Sequence, residues 1–160
     1  MIMKKFFVTL FVLVCIAIPA TSFSSTKHFV LITEVELNPP CDDSAADCQE
    51  WVELINYDVV PVTLDDWEIS SFNGKKIITI PLGENGCQGV LIPRALCVIS
   101  HSNWLNNDGE KLVILDRDFD EMASAEVKGD TGNDNKTWQY CFTFQKFVFR
   151  DQTKFLRNGC

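Results

Sequence analysis

Between residues 30 and 149 the apolar residues come in short segments separated by turn residues, and the segments recur about every ten positions. No apolar stripe at helical spacing runs for a useful length there. Val30-Leu31-Ile32-Thr33-Glu34-Val35 is rich in β-branched residues and meets the turn signal Asn38-Pro39-Pro40. Trp67-Glu68-Ile69-Ser70 alternates, and Asn73-Gly74 then offers a hairpin turn before Lys76–Ile80 and Pro81. Cys97–Ser100, Glu110–Asp116 and Ala123–Val127 repeat the theme, and Trp138–Phe149 is aromatic and β-prone. Such spacing predicts an all-β chain, either sandwich or barrel. Side chains two apart on a strand point the same way. Val52 and Leu54 are therefore expected in the core, with Glu53 on the opposite face between Trp51 and Ile55. Glu50 and Glu53 read as outward, solvated carboxylates. Asn56 ends its strand where an amide can satisfy turn backbone.

The N-terminus has a different character. Lys4 and Lys5 precede an apolar run over Phe6–Ile18, followed by the small residues of Pro19–Ser24. Positive, then apolar, then small is the layout of a secretory leader over residues 1–24, and the run is too short for a membrane-spanning helix. Without it the chain has one domain's length and no transmembrane segment, and loss of Lys4 and Lys5 takes the net charge from −8 to −10. That acidity argues against nucleic acid and anionic membranes as partners. Removal of Cys15 leaves six cysteines, Cys41, Cys48, Cys87, Cys97, Cys141 and Cys160. An even count in an exported chain predicts three disulfides, though sequence alone leaves many pairings open. Pairing between sequence neighbours closes the shortest loops. Zinc spacing is absent.

Four segments, in order, resemble the lamin tail domain family in an exported, prokaryotic-type form. They are Ile32-Thr33-Glu34-Val35-Glu36-Leu37-Asn38-Pro39, Glu50-Trp51-Val52-Glu53-Leu54-Ile55-Asn56, Leu64-Asp65-Asp66-Trp67-Glu68-Ile69, and Asn107 through Asp116. Lys136-Thr137-Trp138-Gln139 is similar to the family's closing segment. The resemblance implies an immunoglobulin-like β-sandwich over residues 25–141, with residues 142–160 as an aromatic and basic C-terminal extension that can form a final strand. The loop fenced by Cys41 and Cys48, and Phe119-Asp120 where glycine is common, depart from the family pattern.

Chemistry is sparse. No nucleophile elbow, phosphate loop or zinc-protease motif is present, and the two histidines, His28 and His101, lie near the start and in a loop. Glu50 and Glu53, three apart on a strand, face opposite ways and cannot flank one bond. The expectation is a non-enzymatic module with no cofactor of its own. Asp116, Asp118, Asp120 and Glu121 alternate carboxylates as calcium loops do, but without the glycine and the distal bidentate glutamate. Asp42, Asp43, Asp47 and the polar stretch 129–135 could add oxygens. Asn135-Lys136-Thr137 is a glycosylation sequon usable on an exported chain. Residues 145–157 carry Lys146, Arg150, Lys154 and Arg157 against Asp151, with interleaved phenylalanines. They read as a final strand whose rings close the core, with contact to a polyanion as the rival. The chain thus reads as a secreted or cell-surface binding module for an unidentified extracellular or protein ligand. A calcium-dependent adhesion or matrix protein, or an accessory nucleic-acid-binding domain, is the alternative.

Overall fold

The computed structural model describes residues 29–41, 48–72 and 77–160. The leader, His28, the Asp42, Asp43 and Asp47 side chains and the Asn73-Gly74 turn lie outside the described residues.

Among the described residues eleven strands run in chain order: β1 (Val30–Glu36), β2 (Glu50–Asn56), β3 (Val62–Thr63), β4 (Glu68–Phe72), β5 (Ile77–Pro81), β6 (Val90–Leu91), β7 (Leu96–His101), β8 (Gly109–Leu115), β9 (Glu121–Lys128), β10 (Lys136–Cys141) and β11 (Lys146–Asp151). One 3-10 turn, Gly83–Asn85, follows β5. All pairings are antiparallel. One sheet has the order β11-β10-β1-β2-β7, the other β5-β4-β8-β9, and β3 pairs with β6 in a small ribbon. The result is an all-β, immunoglobulin-like sandwich: the strand spacing predicts the all-β class, and the lamin-tail resemblance implies the sandwich.

The inner faces supply the core. Val52 and Leu54 meet Ile69, Leu112 and Ile114 there, as alternation requires. Trp67 and Trp104 belong to the same buried cluster. β1 breaks phase in the middle: the register shifts between Ile32 and Glu34, which leaves Thr33 as the extra residue of a bulge. The spacing of buried apolar residues records it, since Val30 and Ile32 point inward before the bulge and Val35 and Leu37 after it. This slip carries Glu34 and Glu36 to the outer face.

Asn56 closes β2 as its residue type suggests. Its amide donates to the Val60 and Leu91 carbonyls at 2.9 and 2.8 Å, and its oxygen accepts the Asp58 N–H at 2.8 Å. The cysteines pair between sequence neighbours: Cys41–Cys48, Cys87–Cys97 and Cys141–Cys160, with Cα separations of 6.0, 5.4 and 5.5 Å. Among the described residues no helix is long and apolar enough to cross a membrane.

Residues 142–160 join the domain more closely than an extension. β11 pairs along the full length of β10 and becomes the edge of the five-stranded sheet. The phenylalanines do not close the core, however. Phe142 and Phe144 sit in the turn between β10 and β11, and Phe144, Phe149 and Phe155 are exposed; only Phe147 packs against the core cluster. Phe147 and Phe149 pair across from Tyr140 and Trp138, on the face that Trp138 turns to the core, but β11 is the edge strand and that face is only partly covered there.

Candidate functional site

The outer face of the five-stranded sheet is where the sequence reading is corrected. All seven residues of β2 are buried, the two carboxylates included. Glu50 and Glu53 are not solvated: they are 1% and 0% exposed. The reason is that each face of β2 has a cover. Glu50 points inward and ends under the loop after β7, where one carboxylate oxygen accepts the N–H groups of Trp104 and Leu105 at 2.7 and 2.8 Å. Glu53 points outward, into the ground between the sheet and residues 153–160.

That last segment is stitched to the sheet by buried acids. Glu34 Oε1 accepts hydrogen bonds from Thr137 Oγ1 at 2.6 Å and from the Thr153 N–H at 2.8 Å, and its Oε2 accepts from Thr153 Oγ1 at 2.8 Å. Glu53 Oε1 accepts from Thr33 Oγ1 at 2.9 Å, and Oε2 from the Phe155 N–H at 2.7 Å. The Asn158 amide donates to the carbonyls of Thr33 and Tyr140 at 2.8 and 3.0 Å. Cys160 is anchored covalently to Cys141 at the end of β10. The acceptors are two glutamates because backbone donors brought over a sheet face need acceptors that the ladder has not already used.

Burial sets the electrostatics of this face. Loss of hydration pushes the Glu53 carboxyl up to about 7, against the lowering pull of its Thr33 and Phe155 hydrogen bonds. Burial raises Glu36 to about 8, with Asp130 and Asp134 adding like charge and the Asn38 N–H opposing. Burial also lowers the Lys154 ammonium, although Glu36, Glu34 and Glu53 pull the other way. Its Nζ lies 4.8 Å from the Trp51 ring centre.

The sign of the pH dependence follows. Both glutamates have an ordinary value of 4.5, so between 4.5 and about 7 to 8 the folded protein keeps protons that the unfolded chain releases. The stabilisation is complete below 4.5 and is lost as pH rises through the folded values. The melting temperature should be several degrees higher at pH 5 than at pH 8, and Glu53→Gln should flatten that slope. A melting temperature that rises over this range would contradict the burial of these acids.

Between the segment and the sheet lies a cleft of about 320 Å³. Its floor is Thr33, Glu53 and Ile55; Tyr57, Arg94 and Phe142 stand on one side, and Leu156, Arg157 and Asn158 come from the covering segment. The two rings of the lining, Tyr57 and Phe142, begin a row of aromatics that runs beyond the cleft. Tyr57 stacks on Phe142 with centroids 5.2 Å apart and planes at 16°, Tyr140 meets Phe142 edge-on at 5.2 Å, and Phe147 meets Tyr140 at 5.4 Å. The Arg94 guanidinium carbon sits 4.0 Å from the Tyr57 ring centre. A concave surface with apolar walls and a few placed polar groups is the form of a small-molecule site.

Among the described residues, none of the carboxylates singled out for calcium, Asp116, Asp118, Asp120 and Glu121, lines this cleft. In the turn from Asp116 to Asp120, Asp116 Oδ1 accepts the N–H groups of Asp118 and Asp120 at 2.9 and 3.0 Å, so this carboxylate builds the turn. Asp118 pairs with Arg117 at 3.8 Å in solvent, and Glu121 opens β9. Among the described residues no three His, Cys, Asp or Glu side chains converge on a point. His101 is exposed, with Nδ1 2.9 Å from the Ser102 carbonyl oxygen. Asn135 is exposed, as a sequon asparagine needs to be, and its carbonyl accepts the Gln152 N–H at 2.8 Å.

Sequence reasoning missed the cleft because its parts come from four distant places. One signal was present: Glu53 is flanked by Trp51 and Ile55, so the outward face of β2 is itself largely apolar and calls for a cover. A scan against protein-family models finds no match to the chain, and a search of curated proteins finds none either. Fold and site define an all-β sandwich, tied by three disulfides, with a cleft on one outer sheet face.

Proposed function

We propose that this chain is an exported, lamin-tail-like binding module without catalysis of its own, and that it holds its ligand in the cleft over the outer sheet face. The observation that carries the reading is the cleft itself, with apolar and aromatic walls, two guanidinium groups and a floor fixed by the covering segment. A rigid, hydrogen-bonded floor favours holding over turnover. Both Glu53 oxygens are already taken, one by the Thr33 hydroxyl and one by the Phe155 amide, which leaves that acid poorly placed to move a proton to a substrate. The lamin-tail resemblance is supported by where its segments fall: they form β1, β2, β4, β8 and β10, strands of both sheets. Export is supported by three disulfides, which form and persist outside reducing compartments.

The test is a nuclear magnetic resonance titration of the oxidised protein with a set of small organic fragments, neutral and charged. The expected result is that amide shifts converge on Ile55, Tyr57, Leu96, Phe142 and Leu156. Shifts confined to other surfaces, or none at all, would remove the cleft as the binding site.

A further inference from the structure

The cleft is framed by positive charge on a chain whose net charge is −8. Arg94 and Arg157 both line it. Three of the other polar side chains of the lining are spent inside the protein: Thr33 on Glu53, Glu53 on Thr33 and Phe155, Asn158 on two carbonyls. The guanidinium groups are not. Among the described residues neither forms an ion pair, and Arg94 is held instead by its ring contact with Tyr57. A guanidinium stacked on an aromatic face keeps its N–H fork for a carboxylate or phosphate. Ile55, Leu96, Leu156 and the two rings supply the remaining surface, which is apolar. Polar donors of one sign at the rim with an apolar interior suit a ligand with one acid group and a water-avoiding body.

We propose that the cleft takes a small organic carboxylate with an apolar or aromatic body, its acid group gripped by Arg94 and Arg157. The inference rests on the cleft being the binding site. A volume of about 320 Å³ limits the ligand to one ring, or a chain of comparable bulk. Glu53 at the floor works against an anion when ionised, and its burial holds its titration up to about 7. The charged groups that bear on it are Glu34 from β1, Lys154 from the covering segment, and the two arginines at the rim. Binding therefore tightens as pH falls through neutrality and Glu53 takes up its proton.

The experiment titrates the oxidised protein with 3-phenylpropionate and hexanoate and, in parallel, with the carboxamide of each. Shifts are followed in the wild type, Arg94→Gln, Arg157→Gln and, as a control outside the cleft, Lys146→Gln; retained amide spectra confirm folding. The acids are expected to move cleft resonances, and the amides to bind at least about tenfold more weakly, the usual worth of a charge-assisted hydrogen bond. Each arginine variant is expected to lose a similar factor for the acids, Lys146→Gln none, and acid affinity to be higher at pH 6 than at pH 8. Equal binding of acids and amides would overturn the carboxylate inference and leave the cleft as a binding site. Failure of every probe to move cleft resonances would overturn both.

Discussion

Glu50→Ala is expected to cost about 4 kcal/mol of unfolding free energy, since two buried N–H groups lose their acceptor at about 1–3 kcal/mol each and a small cavity adds to the loss. The N–H groups are those of Trp104 and Leu105, and the loop they hold seats the Trp104 ring in the core at 1% exposure. Trp104 also donates from Nε1 to the Glu50 carbonyl at 3.4 Å, and its own carbonyl accepts from Ser71 Oγ at 3.1 Å. The loop thus bridges both sheets, through Glu50 on one and the Ser71 hydroxyl on the other. Urea unfolding should show the midpoint falling with little change in slope, the signature of lost stability without a changed fold. Glu50→Gln keeps an acceptor oxygen and should lose roughly half as much by the same accounting. A loss below about 1 kcal/mol for the alanine variant would mean that solvent reaches these N–H groups.

The contrast between Glu50 and Val52 shows what could be read from the chain. Val52 and Leu54 were placed correctly by period-two alternation, because an apolar side chain on a strand has one favourable direction. The succession of strands along the chain and the role of Asn56 follow from the same local rules, whereas the sandwich was implied by the lamin-tail resemblance. The carboxylates obey a different one. A glutamate reads as solvated unless donors are brought to it, and its donors here come from residues far along the chain: Trp104 for Glu50, Phe155 for Glu53, Thr153 for Glu34. Nothing local announces those partners. The bulge at Thr33 was legible in principle, from the slip in apolar spacing between Ile32 and Val35. The cleft was not, because it depends on where residues 153–160 lie once Cys160 is tied to Cys141.

Removing residues 153–160, with Cys141→Ser to avoid a free thiol, is expected to destabilise the domain by about 3 kcal/mol, the typical worth of a disulfide closing a loop of this size. The donors lost to Glu34 and Glu53 add to this. Exposure offsets part of the loss, since Glu53 regains water and no longer resists ionisation. The two effects are separable. Stability should fall at pH 5, where Glu53 is protonated, by more than at pH 8, where its ionisation already weakens the intact protein. The truncated chain should therefore show a flatter dependence on pH than the intact one. The cleft loses Leu156, Arg157 and Asn158, so binding of any cleft ligand should vanish with the segment. Unchanged stability and an unchanged pH slope would place the segment off the sheet.

The account turns on that segment closing the outer face over Glu34 and Glu53. Hydrogen exchange at the Thr153 and Phe155 amides of the oxidised protein tests it most directly, since these two N–H groups donate to the buried acids at 2.8 and 2.7 Å. Docking as described predicts exchange at least about a hundredfold slower than in an unstructured chain. Exchange at the unstructured rate would contradict it, and with it the cleft.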